Sequence, residues 1–258
     1  MLKRILTGAV GLPIVIGLVY IGGLAVVAAC FLLAVFGLRE LYIALNKKHR
    51  PIFYIGYVFA AVYFAVLYFF GTGYLLLIVL LLFIISVHLC MVVFFNRVSL
   101  YECLSVVYGF FYVPFLMAFF VLVREHEMGQ YYVWLIFTSA FGADTFAYIV
   151  GSALGKRKLK NSPSPSKSVE GLIGGVLGAA FLGFLYGLFM GVLLNTIIIS
   201  VLGAVFSVVG DLAASAVKRR TDLKDFGNVF PGHGGVLDRI DSTLVVAPVV
   251  FVVMSVMS

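Results

Sequence analysis

Charge is what this chain has least of: of its 258 residues only 11% are charged, and only 11 residues are acidic. So little polar surface excludes a large water-facing domain. Cysteine is scarce as well. Cys30, Cys90 and Cys103 share no metal-ligand spacing and lie in apolar runs, which excludes a disulfide framework or a zinc site and leaves them as small buried hydrophobes. Sustained alternation of apolar and polar residues is absent too, which excludes an outer-membrane barrel. No convincing internal repeat appears, and that disfavours the inverted-repeat transporter folds.

Long apolar runs are what the chain does have. It is 63% hydrophobic, with a mean hydropathy of +1.16. Runs of about 20 apolar residues match the thickness of a bilayer. In lipid they must be helical, because each backbone N–H and C=O has to be paired within the segment. The sequence therefore predicts an all-α polytopic membrane protein of about nine transmembrane helices, near 5–21, 24–45, 53–70, 74–95, 101–123, 131–153, 169–193, 196–216 and 237–256. Val27-Ala28-Ala29-Cys30 has the look of a lipoprotein cleavage box, but the apolar run continues past Cys30 into a complete second helix.

The basic residues set the orientation. With the N-terminus cytoplasmic, Lys3, Arg4, Lys47, Lys48, Arg50, Arg97, the 156–167 cluster and the 218–224 cluster all face the cytoplasm, while Arg124 falls outside. The C-terminus is then external. The net charge of +7 becomes a property of the cytoplasmic face, suited to anionic membrane lipids. No soluble basic domain exists to bind nucleic acid.

Acid content divides the chain. Residues 1–100 contain one acid, Glu40, and read as a transmembrane scaffold of about four helices, with Arg39 and Glu40 as snorkelling or paired interface residues. His88, alone on an apolar helix, reads as a satisfied core histidine. Residues 101–258 read as the catalytic region, with polar loops on the cytoplasmic side. Asp144, Glu170, Asp211, Asp238 and Asp241 all lie within or beside its apolar helices, where an unpaired charge costs about 2.5–3.5 kcal/mol or more.

Three clusters carry chemistry. Asp211 follows Gly210 in an apolar helix ending in Lys218-Arg219-Arg220, and shares a face with Ser215. It sits too deep for a solvated charge and needs a cation or donor, with a structural ion pair as the plain alternative. His233-Gly234-Gly235 leads into Asp238-Arg239-Ile240-Asp241, whose two carboxylates project from one side of a helix start. Acids there also serve as dipole-matching caps. Together with a third acid from a neighbouring helix, they make an oxygen-rich site suited to Mg²⁺ and phosphate. The third cluster runs from Asp144, Tyr148, Gly151 and Gly155 into Lys156-Arg157-Lys158 and on through Ser164 to Gly171. Its spacing is not that of a Walker loop. A helix start near Lys167 or Ser168 is expected, and the glycines at 151, 155, 171, 174, 175 and 178 read at least as well as helix-packing contacts.

These residues resemble a known family. Ser215, Val217, Lys218, Arg219, Lys224, Asp225, Gly227, Phe230, Pro231, His233, Gly234, Gly235, Val236, Asp238, Arg239, Ile240 and Asp241 match the C-terminal motif of the CDP-diacylglycerol synthases, the phosphatidate cytidylyltransferases. Asp144, Ala147, Tyr148, Gly151, Gly155, Ser164-Pro165, Lys167-Ser168, Glu170-Gly171 and Gly174-Gly175 resemble the upstream part. The resemblance implies a nucleotidyltransferase of phospholipid biosynthesis in the inner membrane, converting CTP and phosphatidate to CDP-diacylglycerol and pyrophosphate at the cytoplasmic face. It implies Mg²⁺ on Asp211 and Asp238 with Asp241 close behind, and leaves open a second ion such as K⁺. Lys218 and Arg239 join these acids as catalytic candidates. Asp144, Lys167, Ser168, Glu170, Ser215, Arg219, Lys224, Asp225, His233, Gly234 and Gly235 are the substrate-binding candidates. A homodimer is compatible with the sequence. The alternatives are a CTP-dependent lipid kinase of the polyprenol type, in which the γ-phosphate passes to a lipid hydroxyl, and a cation-coupled transporter.

Overall fold

The computed structural model describes residues 2–229 and 234–257, with side chains from residue 11 onward. Its elements are α1 (Leu2–Ile21), α2 (Gly23–Asn46), α3 (Phe53–Phe70), α4 (Tyr74–Val93), α5 (Leu100–Phe110), a π-turn (Phe111–Phe115), α6 (Leu116–Glu125), α7 (Gly129–Leu154), α8 (Val169–Met190), α9 (Leu193–Arg220) and α10 (Leu237–Met257). Among the described residues eight helical segments are long and apolar enough to cross a membrane, counting Leu100–Glu125 as one. The ninth expected segment is α1. All nine are helical, as the unbroken apolar runs require.

Two packing units emerge: Met1–Val121 with Asp225–Asp238, and Leu122–Lys224 with Arg239–Ser258. This packing division lies elsewhere than the functional one drawn at residue 100. In the first unit Tyr42 of α2 is fully buried, and its hydroxyl donates to the Val106 carbonyl of α5 at 3.3 Å. Gly56 on α3 and Gly109 on α5 leave the room for that ring, because a Cβ at either would strike it. Phe83 of α4 stacks on Phe110 with centroids 4.3 Å apart. The start of α5 is fixed by a capping box between Ser99 and Glu102, and Arg50 Nε lies 2.9 Å from Glu102 Oε1. Pro114 lacks an N–H, and the helix passes it as a π-turn rather than breaking. His88 is satisfied by the Ile84 carbonyl at 2.8 Å, but its side chain is exposed rather than in the core.

In the second unit α8 packs on α7 through small residues. A Cβ at Gly171 would lie 2.8 Å from the Ala147 carbonyl oxygen, and one at Gly175 2.7 Å from that of Ala143. The same stripe continues as Gly183 and Gly187 against Ser200 and Thr196 of α9. In a membrane, where lipid is as apolar as the side chains, such close approach supplies the packing. The glycines of α8 are therefore packing residues. On α9, Gly203 meets Ser139 of α7, and Gly210 meets the backbone of α10: a Cβ there would be 2.8 Å from the Asp241 carbonyl oxygen.

Candidate functional site

The second unit gathers three of the singled-out residues. Lys167 Nζ lies 2.6 Å from Asp211 Oδ2, both side chains being largely buried. Asp144 of α7 is within electrostatic range of both. Asp211 Oδ2 is enclosed and receives no aligned hydrogen bond, so the ammonium meets it as a charge rather than as a directed donor. Two carboxylates with one lysine leave a net negative charge, and an enclosed carboxylate oxygen with spare lone pairs suits a hard divalent cation. Asp144 and Lys167 line a cavity of about 390 Å³ together with Tyr148, Lys158, Ser164 and Ser166, among others.

The loop that carries Lys167 is held at both ends. Lys158 pairs with Ser168 in an antiparallel bridge, with Leu159 N donating to the Lys167 carbonyl at 2.9 Å and Val169 N to that of Arg157 at 3.0 Å. Glu170 accepts from the backbone of Lys156 at 3.1 Å and of Arg157 at 3.1–3.2 Å. Ser168 is the N-cap of α8, its Oγ accepting from Gly171 N at 3.2 Å, as the Pro-Ser run predicts. Its hydroxyl fills the space that Gly151 and Gly155 leave. Ser168 and Glu170 therefore shape the loop, and Lys167, Lys158 and the serines face the cavity.

Asp241 is buried, with Oδ1 accepting from Ser242 N at 2.7 Å, at the point where α10 crosses Gly210 of α9. Ser215 is half-buried one turn beyond Asp211, and Lys218 and Arg219 occupy the last turn of α9, where cations complement the helix dipole. Leu223 N returns to the Lys218 carbonyl at 2.8 Å, closing that helix. Lys224, Asp225 and Arg239 are exposed. His233, with Phe230 and Pro231, lies outside the described residues.

In the first unit the Gly234–Asp238 turn is built around two carboxylates. Asp238 Oδ2 accepts from Phe226 N at 2.8 Å and Gly235 N at 3.0 Å. Gly234 adopts a left-handed φ of 82°, which favours glycine. The next two amides turn to Glu40: Val236 N donates to Oε1 at 2.9 Å and Leu237 N to Oε2 at 2.8 Å. Glu40 is only 5% exposed, so it is a buried partner of this turn and not a snorkelling interface residue. Arg39, its neighbour, is exposed. One signal in the sequence pointed to Glu40, since a lone acid in an apolar helix demands donors, and a glycine-rich helix start supplies backbone N–H groups. Among the described residues no three His, Cys, Asp or Glu side chains are gathered into a metal-ligating group.

Comparison with known proteins identifies the lineage. The sequence matches the cytidylyltransferase family over residues 2–257. The chain belongs to that family. It is 37% identical over 151 residues to the phosphatidate cytidylyltransferase of Bacillus subtilis (strain 168), covering 57% of this chain and 56% of that protein. With the Pseudomonas aeruginosa phosphatidate cytidylyltransferase the identity is 45% over 133 residues, 50% of this chain and 49% of the relative. In these matches the chain spans about half the length of the curated relatives. With the Staphylococcus haemolyticus phosphatidate cytidylyltransferase, 28% identity extends over 255 residues and 95% of both chains.

Proposed function

We propose that the chain is a phosphatidate cytidylyltransferase of phospholipid biosynthesis, acting at the cytoplasmic face of the inner membrane with its N-terminus inside and its C-terminus outside. The observation that carries this reading is the Asp144–Lys167–Asp211 group, two of whose members line a cavity, in a chain of the cytidylyltransferase family. Two polyanions must meet in the reaction, so cations and carboxylate-held metal beside an apolar wall are the chemistry required.

A phosphate oxygen of phosphatidate attacks the α-phosphorus of CTP. The new O–Pα bond forms as the bond from Pα to the bridging β-phosphate oxygen breaks, and pyrophosphate carries away that electron pair. No covalent enzyme intermediate is needed. Lys167 and Lys158 offset the charge of the approaching phosphates, while Ser164 and Ser166 donate hydrogen bonds. Lys218, Arg219 and Arg239 serve the same ends from α9 and α10. Asp211 would hold Mg²⁺ in the second unit, with Asp241 and, from the first unit, Asp238 as the further candidate ligands, and the ion would supply Lewis-acid charge stabilisation at the transferring phosphoryl group.

Product analysis tests the reading. Purified protein in detergent micelles is given phosphatidate, a polyprenol, Mg²⁺ and CTP labelled at either the α- or the γ-phosphorus. Label should enter lipid from the α position only. Transfer from the γ position would make the chain a lipid kinase, and no transfer from either would contradict both enzymatic readings.

A further inference from the structure

Glu40 is the one acid in the first 100 residues. It reaches across nearly 200 positions of sequence to the motif that holds Asp238, within a single packing unit. The first amides of an α-helix have no partner within the helix, and a side-chain acceptor from elsewhere can take them. Here both Glu40 oxygens do so, one for each of two successive amides, while Asp238 takes the amide just before them. Three consecutive N–H groups, at 235, 236 and 237, are thereby divided between two carboxylates. The surrounding glycines are cut to fit the arrangement. A Cβ at Gly227 would sit 2.5 Å from Glu40 Oε1, and one at Gly235 would strike both oxygens.

A neutral cap would satisfy a helix end without bringing a second negative charge near Asp238, whose field Glu40 feels. A carboxylate does more, because its two equivalent acceptors fix two amides at once and so fix the direction in which α10 begins. We infer that Glu40 is a positioning residue for the proposed transfer: it sets the Gly234–Asp238 turn, and with it the aim of the Asp238 carboxylate, without touching substrate. This inference rests on the cytidylyltransferase reading of the site. An amide in place of the carboxylate offers one acceptor and presents its NH₂ to the other N–H, so Glu40→Gln is close in shape but releases one of the two bonds.

The experiment uses the full-length protein in micelles and three variants. Glu40→Gln breaks the contact directly. Gly227→Ala keeps Glu40 and displaces its carboxylate. Glu102→Gln alters the other buried acid of the same unit, which caps α5 and serves as the control. Backbone hydrogen exchange at Val236 and Leu237 and the kinetics of α-label transfer are measured together. Glu40→Gln should speed exchange at those two amides at least tenfold with α3 and α4 unchanged. It should lower kcat at least tenfold while KM for CTP and phosphatidate stays within about twofold. Gly227→Ala should give the same pattern more weakly, and Glu102→Gln neither change. Unchanged exchange at 236–237 would overturn the inference, as would wild-type kcat with loosened amides, or equal loosening throughout α2–α4. If the wild-type protein transfers no label, the cytidylyltransferase reading fails first, and the exchange data decide by themselves whether Glu40 holds the turn.

Discussion

At the scale of single residues, the polar chemistry of this membrane protein turns on how each carboxylate is satisfied. Glu40 and Asp238 direct oxygens to backbone amides, whereas Asp211 faces the ammonium of Lys167. An amide-bound carboxylate is locked in direction, while a lysine on a flexible stem can turn from a carboxylate to a phosphate when one arrives. Lys167→Met keeps the stem and removes the charge. It should lower kcat/KM for label transfer at least tenfold, which is about 1.4 kcal/mol of transition-state stabilisation, with the thermal midpoint falling by only a few degrees. A variant with wild-type kcat/KM would remove Lys167 from the site. The sequence made Asp211 legible as an acid too deep to be solvated, and Ser168 as a cap, because burial depth and capping are local properties. It did not disclose that Lys167 is the partner of Asp211 or that Glu40 belongs to the 234–238 turn. Those contacts join residues 44 and nearly 200 positions apart, and no local period encodes them.

Helices are where the sequence spoke most plainly. Each uninterrupted apolar run became a helix, since lipid leaves the backbone no alternative. The glycines of α8 are packing contacts, the plainer of the two readings open to them. What the apolar pattern hid was irregularity within elements: the π-turn at Pro114 and the bridged hairpin between Lys158 and Ser168. The crossing of α9 and α10 depends on Gly210, which precedes Asp211 and abuts the Asp241 backbone. Gly210→Val would drive a branched side chain into that backbone, and overpacking of this kind costs about 1–3 kcal/mol. Its thermal midpoint in detergent should drop by several degrees and its label transfer should fall with it. Gly11→Val on α1, where nothing lies within 4 Å of the added Cβ, should change neither. Equal behaviour of the two variants would mean that the α9–α10 crossing does not depend on the missing side chain.

For the whole molecule, composition together with the unbroken length of the apolar runs sets the class, an all-α polytopic membrane protein, because runs of about 20 apolar residues without alternation span a bilayer only as helices. Family membership extends along nearly the full length, while the polar residues concentrate in a few loops and the helix ends beside them. The account as a whole claims phosphatidate cytidylyl transfer at one face of the membrane, by a site that includes Asp211. Sealed vesicles test this most directly. Inverted and right-side-out membrane vesicles containing the protein are supplied with α-labelled CTP, which does not cross the bilayer, with vesicles containing Asp211→Asn as the blank. The account predicts labelled CDP-diacylglycerol in inverted vesicles at once, in right-side-out vesicles only after detergent opens them, and at least a hundredfold less above host background with Asp211→Asn. Label entering lipid in sealed right-side-out vesicles, or equal incorporation by wild type and Asp211→Asn after opening, would contradict it.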